Sequence, residues 1–171
     1  GVDLLREAVK IEPDNYWYKL TLASQYRKRG ENGLAVEVIE DMVERFPSRL
    51  EPLMELVDLY SRLKDYEKAI YSLDRLEKLD GKSEQISMEK FRMYLQMGDS
   101  ERAFTEIESL AQEYSYEMRY LTILGDVYLE NGKNDEAYAI FQKVLKEEPG
   151  YAPAMLSMAS YYEKQGQDSL Y

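Results

Sequence analysis

The chain has 171 residues, of which 44% are hydrophobic and 32% charged, so it is able to bury a core and is not a disordered chain. Its 33 acidic and 22 basic residues give a net charge of −11, which makes nucleic acids and anionic lipid surfaces unfavourable partners. The sequence contains neither cysteine nor histidine. Disulfides, zinc–thiolate sites and Ser-His-Asp catalysis are therefore excluded.

Four columns of residues recur every 34 positions along the chain. The alanine column is Ala35, Ala69, Ala103 and Ala137, and the tyrosine column is Tyr26, Tyr60, Tyr94, Tyr128 and Tyr162. The glycine column is Gly30, Gly98, Gly132 and Gly166, with Lys64 in the remaining place, and the proline column includes Pro13, Pro47 and Pro149. One period shared by four columns indicates an array of structural repeats.

Each period predicts two α-helices joined by a short polar turn. Apolar residues recur at three- and four-residue steps, as between Leu53 and Tyr60, which is the helical spacing. The glycine column suits the left-handed residue that ends a first helix, and the proline column stops a second helix. The residues predicted to cap second helices are Asp65, Asp99 and Asn134.

In chain order, the sequence predicts a lone second helix, four helix pairs and a lone first helix. The boundaries are a half repeat at 1–15, repeats at 16–49, 50–83, 84–117 and 118–151, and a half repeat at 152–171. We treat 1–171 as one array. Because its length is five periods plus one residue, we expect it to be a window on a longer array.

One repeat carries a nearly complete family pattern. It reads Leu121-x2-Leu124-Gly125-x2-Tyr128, followed by Ala137-x3-Phe141 and Pro149. This pattern resembles the tetratricopeptide repeat (TPR), with only the leading tryptophan replaced. The resemblance implies an all-α fold, a right-handed α-solenoid in which antiparallel helix pairs stack into a superhelix. It also implies that first helices line a concave groove and that second helices face outwards. Because the groove positions are close to neutral, we expect most of the negative charge on the outer helices and turns.

The repeat at 84–117 departs from this pattern. It has Lys90 and Phe91 where the family has leucine and a small residue. A ring at a close helix contact is expected to separate the helices or shift their register. Either neighbouring residues compensate for this drift, or the departure bends the groove.

The resemblance places ligand-facing side chains on the first helices. The candidate groove residues are Trp17, Leu20, Ser24, Arg27, Glu51, Met54, Glu55, Asp58, Met88, Glu89, Arg92, Arg119 and Asp126. The tryptophan and methionines suit a partner with apolar anchors, and the glutamates and Asp58 suit basic residues in that partner. Trp17 has two open interpretations, a binding anchor or a cap on the preceding half repeat.

Two more specific activities are disfavoured. Family members that clamp a peptide carboxylate use cations and amides at places that here include Glu55 and Glu89, which would repel the ligand. Carboxylate pairs such as Glu55 and Asp58 can hydrolyse glycosides, but this spacing is ordinary on a solvated helix. We therefore expect no enzyme activity, no metal and no cofactor.

The predicted function is a protein-binding scaffold or adaptor that holds a peptide or helical segment in the groove. The alternative is a structural or self-association module, because Met155, Met158 and Tyr162 give the last half repeat an apolar face. Neither nucleic-acid binding nor membrane insertion is expected. The tyrosine-rich, cysteine-free composition is similar to that of repeat regions in exported bacterial envelope proteins, which favours the periplasm or cell envelope over the cytoplasm.

Overall fold

The computed structural model describes residues 1–168, and all regular structure in that range is α-helical. Its helices are α1 Val2–Ile11, α2 Tyr16–Lys28, α3 Asn32–Arg45, α4 Glu51–Arg62, α5 Tyr66–Asp80, α6 Glu84–Gln96, α7 Ser100–Glu113, α8 Met118–Glu130, α9 Asn134–Glu147 and α10 Ala152–Asp168. Short turns join helices that pack on each other, so neighbouring helices are antiparallel from α1 to α5 and again from α7 to α10. The predicted all-α class of stacked helix pairs is confirmed.

The turn within a helix pair depends on one residue in the left-handed conformation. Gly30, Gly98 and Gly132 have φ angles of 73°, 72° and 75°. Lys64 takes the equivalent place with φ 59°, the one positive-φ residue other than glycine in the described range. This conformation is sterically unfavourable for a residue with a Cβ atom. Gly166 differs from its column, since α10 continues through it.

Side-chain caps begin two of the second helices as predicted. Asp65 accepts a hydrogen bond from the Lys68 amide at 3.3 Å, and Asp99 accepts one from the Arg102 amide at 3.1 Å. The cap predicted at Asn134 is wrong. Helix α9 begins at this residue, one position earlier than expected, so its side chain lies within the first turn and its Oδ1 atom is buried with no hydrogen-bond partner.

The chain forms two compact units, Gly1–Ile86 and the remainder, and each is described by itself. In the first unit, each of α1 to α4 packs on the next helix in chain order. Ala35 and Ala69 are fully buried where helices approach closely, and Tyr26 and Tyr60 are each 6% exposed. The alanine and tyrosine columns therefore form the core of this unit.

In the second unit, α8 contacts α7, α9 and α10. A buried cluster consists of Leu129, Ala137 and Phe141, with Tyr128, Met158 and Tyr161 packed against it. Gly125 lies so close to Phe141 that a Cβ atom at position 125 would overlap the phenylalanine ring. The smallest residue of one helix thus faces a large residue of its partner.

Both unusual residues of the repeat at 84–117 are buried. Phe91 lies in the core, and the Lys90 ammonium lies 3.6 Å from a carboxylate oxygen of Glu106 on α7. Ala103 of the same helix remains fully buried. A charged partner on α7 compensates for Lys90. A bend in the groove stays a prediction.

Candidate functional site

The first helices α2 and α4 border a cleft of about 350 Å³ in the first unit. Its lining residues are Leu20, Ala23, Ser24, Arg27, Lys28, Ile39 and Glu55. Four of them belong to the predicted groove set, namely Leu20, Ser24, Arg27 and Glu55. An apolar base of Ala23 and Ile39 under a polar rim is a common composition for a ligand site. We call it the first-helix cleft.

Packing at the start of α2 determines where Trp17 lies. The Asn15 side chain caps the helix by accepting from the Tyr18 amide at 3.1 Å. The Tyr16 ring is buried edge-on against Phe46, with centroids 5.2 Å apart. The next residue, Trp17, is left 66% exposed. Most of the indole is therefore accessible to a partner, and its role as a binding anchor stays a prediction.

Helix α4, the other first helix that borders the cleft, carries an exposed apolar side chain, that of Met54. Pro52 and Leu53 are buried in the first turn, whereas Glu51 and Met54 lie on the outer surface of the helix, with Met54 59% exposed. Met54 directly precedes Glu55, which lines the cleft. A flexible thioether at such a position can adapt to different partner side chains.

An ion-pair network connects the two helices of the cleft. Arg27 of α2 donates through Nη1 to Glu55 and through Nη2 to Asp58, the latter at 2.5 Å. Arg62 also pairs with Asp58, with Nε 3.1 Å from Oδ2. Two of the predicted acidic groove residues, Glu55 and Asp58, are therefore neutralised within the protein.

The remaining predicted residues lie in the second unit. On α6, Met88 and Glu89 are half-buried and Arg92 is exposed. On α8, Arg119 turns towards its neighbour: its Nη2 donates to the Tyr120 hydroxyl at 2.6 Å, and its guanidinium lies 4.7 Å from that ring's centroid. This contact holds Arg119 against its own helix.

Asp126 is half-buried between helices. Its carboxylate accepts a hydrogen bond from the Ser157 hydroxyl of α10. Burial raises the pKa of the Asp126 carboxyl, and the nearby charge of Glu130 raises it further, while the Ser157 hydrogen bond partly offsets both. Asp126 therefore connects α8 to α10, besides any role in ligand contact.

The base of the cleft was missed by reasoning on the sequence. Ala23 and Ile39 occupy positions that belong to the core of the repeat pattern, yet both line the cleft. The signal was available, because Ile39 lies four residues after Ala35 in the alanine-x3-apolar motif. Because core positions are normally closed to ligands, this motif by itself does not predict that Ile39 lines a cleft.

Within positions 1–168, no three acidic side chains converge as metal ligands would. None of the helices in that range combines the length and apolar composition that crossing a bilayer requires.

These features define an all-helical repeat protein in which paired helices leave a cleft between successive first helices. Two family models described as tetratricopeptide repeat match residues 20–84 and 128–169, together more than half of the chain. The chain belongs to the tetratricopeptide repeat family.

Several known proteins share this sequence pattern. Anaphase-promoting complex subunit 3 of Schizosaccharomyces pombe is 28% identical over 138 residues, which is 80% of this chain and 20% of that protein. Interferon-induced protein with tetratricopeptide repeats 2 of Mus musculus is 25% identical over 181 residues, 94% of this chain and 38% of that protein. The chain thus spans well under half the length of these curated relatives.

Solved structures share the fold at lower sequence identity. YrrB, described as a TPR protein with an unusual peptide-binding site, superposes with a TM-score of 0.60 at 13% identity, covering 97% of this chain and 86% of that one. MamA superposes with a TM-score of 0.61 at 21% identity, covering 86% of this chain and 81% of that one. At these identities the likeness concerns the fold alone.

Proposed function

We propose that the chain is a non-catalytic interaction scaffold whose first-helix cleft binds a peptide or helical segment of another protein. The observation that carries the proposal is the pair of exposed apolar side chains, Trp17 and Met54, on the two helices that border this cleft. Exposed tryptophan and methionine are costly to leave in water and are common anchors at interfaces. Peptide binding, which is named for YrrB, agrees with this use of the fold.

The partner we propose carries apolar anchors, with charge in a secondary role. Arg27 already neutralises Glu55 and Asp58, which removes part of the basis for a strongly basic partner. Glu51 is exposed and has no cation partner among the described residues. A single basic residue facing Glu51 therefore suits the site better than a basic cluster.

The same network supports a non-catalytic role. Glycoside hydrolysis needs one carboxyl group that holds a proton and another that is free to act as base or nucleophile. Both Glu55 and Asp58 are bound to Arg27, so neither carboxylate is free to act as base or nucleophile. We therefore propose binding without chemistry at this cleft.

Peptide titration with variants of the cleft tests the proposal. The fluorescence of Trp17, the only tryptophan, reports binding of peptides selected from a display library. We expect the double variant Leu20→Ser, Met54→Ser to bind a selected peptide with an affinity lower by about tenfold or more, because it loses two apolar contacts. The matched control is Leu79→Ser, which removes an exposed leucine from α5. Equal affinity for the double variant and the control contradicts the proposal.

A second candidate function is self-association through α10. Tyr162 belongs to the same column as Tyr26 and Tyr60, but it is 57% exposed where they are 6% exposed. Met155 and Leu156 are also exposed on this helix. A second copy that covers this apolar face would make the chain an assembly module.

Sedimentation velocity at several protein concentrations tests this second function. We expect a concentration-dependent rise in mass that Tyr162→Glu abolishes. Tyr116→Glu is the control, because it adds the same charge at an exposed tyrosine outside α10. A monomer at every concentration rules out self-association, and it leaves peptide binding unaffected.

A further inference from the structure

The second helices α3 and α5 of the first unit border a larger groove of about 550 Å³. Its lining residues are Glu37, Glu40, Asp41, Val43, Glu44, Leu56, Tyr60, Lys68, Tyr71, Ser72 and Arg75. Val43, Leu56 and the Tyr60 ring are buried and give it an apolar base. Between α3 and α5 the base of this groove is formed by Leu56 and Tyr60 of α4, whereas between α2 and α4 the base of the first-helix cleft is formed by Ile39 of α3. The two therefore open on opposite sides of the helix layer. We call this one the second-helix groove.

One wall of the second-helix groove is acidic. Along α3, Glu37, Glu40, Asp41 and Glu44 are spaced at i, i+3, i+4 and i+7, which places them on one helix face. Cations already neutralise two of these four. Asp41 pairs with Lys19 and Arg45, and Glu44 lies 3.7 Å from Arg75.

The other two carboxylates lack a cation. Within residues 1–168, no lysine or arginine lies within 4.0 Å of Glu37 or Glu40. Glu40 accepts a hydrogen bond from the buried Tyr60 hydroxyl. Burial and this contact with Glu40 raise the pKa of the Tyr60 hydroxyl, so Tyr60 remains a donor and fixes the carboxylate at the groove. Lys68, on the opposite wall, lies 3.8 Å from Asp65 instead.

The opposite wall adds an exposed aromatic ring. Tyr71 of α5 is 64% exposed, and the Arg75 guanidinium lies 6.0 Å from its centroid. An exposed tyrosine face can pack against an aliphatic chain or attract a cation from a partner. The groove therefore combines an apolar base, an aromatic wall and two uncompensated negative charges.

We propose that the second-helix groove is a second docking site, which binds a basic segment of a partner protein. An aliphatic side chain of that segment packs on Val43 and Leu56, and a neighbouring arginine or lysine faces Glu37 and Glu40. Charge complementarity selects this occupant, because the Glu37 and Glu40 carboxylates, which no described cation neutralises, repel acidic peptides, nucleic acids and anionic lipids alike. A scaffold with both sites can bring two partners together on opposite sides of the same helix pairs.

Calorimetric titration of the whole chain with a defined probe tests this proposal. The probe is a short capped peptide of leucine, alanine and arginine, compared with a peptide in which glutamate replaces each arginine. We expect the arginine peptide to bind, more weakly as salt increases, and the glutamate peptide not to bind. In the variant Glu37→Gln, Glu40→Gln the arginine peptide should bind about tenfold more weakly, the effect of about 1.4 kcal/mol.

Matched variants separate the groove from net charge and from folding. Glu136→Gln, Glu147→Gln on α9 removes the same charge from exposed positions and should leave the affinity unchanged. Tyr71→Ala removes the exposed ring and should also lower the affinity for the arginine peptide, while the melting temperature of the protein stays constant. Glutamine retains an acceptor for the Tyr60 hydroxyl, so the Glu37→Gln, Glu40→Gln variant should fold normally.

Four results would overturn the proposal. These are no binding of the arginine peptide, equal binding of the glutamate peptide, equal losses in the α3 and α9 variants, and loss of binding only in Leu20→Ser, Met54→Ser. The last result assigns the peptide to the first-helix cleft. Failure of the second-helix groove is thereby distinguished from failure of that cleft.

Discussion

Gly125 of α8 and Phe141 of α9 pack so closely that any side chain at position 125 would overlap the phenylalanine ring. The ring is fully buried, so it has little room to move away. The close approach of α8 and α9 thus depends on position 125 having no Cβ atom.

Replacing this glycine should destabilise the second unit. We expect Gly125→Ala to lower the free energy of unfolding by about 1–3 kcal/mol, the usual cost of overpacking a core. Chemical denaturation measures the change. Gly33→Ala is the control: Gly33 also lies in a helix, but a Cβ atom there would meet nothing within 4 Å, so the substitution should be neutral or slightly stabilising. Adding Phe141→Leu to Gly125→Ala should recover part of the loss, and no recovery would argue against the overlap as its cause.

The left-handed lysine offers the opposite test. Lys64 has φ 59° at a place where the equivalent residues are glycines. We expect Lys64→Gly to raise the free energy of unfolding by about 1 kcal/mol, because it relieves the steric cost of a Cβ atom. Gly30→Ala, at φ 73°, should lower it by a similar amount. The same denaturation experiment compares the two, and a loss of stability in Lys64→Gly would disprove the interpretation.

The buried ion pair of α6 and α7 should be intolerant of single substitutions. Lys90→Met leaves the Glu106 carboxylate buried without this cation, which we expect to cost about 3 kcal/mol. The double variant Lys90→Met, Glu106→Met should recover most of that loss, since apolar residues of similar size often replace a buried pair. Thermal melting of the single and double variants measures this. If the double variant is no more stable than Lys90→Met, the pair is not the reason for the loss.

Asp126 should make stability depend on pH. Its pKa is raised above the ordinary value of 3.8, so the folded state holds the proton more tightly than the unfolded state. The stabilisation is fully present below pH 3.8 and is lost as the pH rises through the folded-state pKa. Ionised Asp126 therefore opposes folding at neutral pH.

Asp126→Asn removes that charge and keeps an acceptor for Ser157. We expect the variant to melt at a higher temperature than the parent chain at pH 7, and the difference to shrink as the pH falls through the folded-state pKa of Asp126 towards 3.8. Melting curves across this pH range are the measurement, and Asp3→Asn on α1 is an exposed control. A difference that does not change with pH would contradict a raised pKa.

The sequence by itself determined the repeat and its helices. A period of 34 residues, helical spacing of apolar residues and glycine at the turn together predict helix pairs. These patterns are local, so they can be read from the sequence without knowing how the helices pack. Lys64 stands in the glycine column, where the other residues of the turns are left-handed, so the sequence also identifies the position at which a lysine takes this conformation.

Only the tertiary structure decided which of the predicted surface charges are available to a partner. Arg27 reaches Glu55 and Asp58 on the next first helix, whereas no lysine or arginine nitrogen among residues 1–168 lies within 4.0 Å of the Glu37 or Glu40 carboxylate. The sequence contains all five residues, but pairing depends on distances between side chains about 30 positions apart. Those distances are set by how the helices pack, which no local pattern encodes.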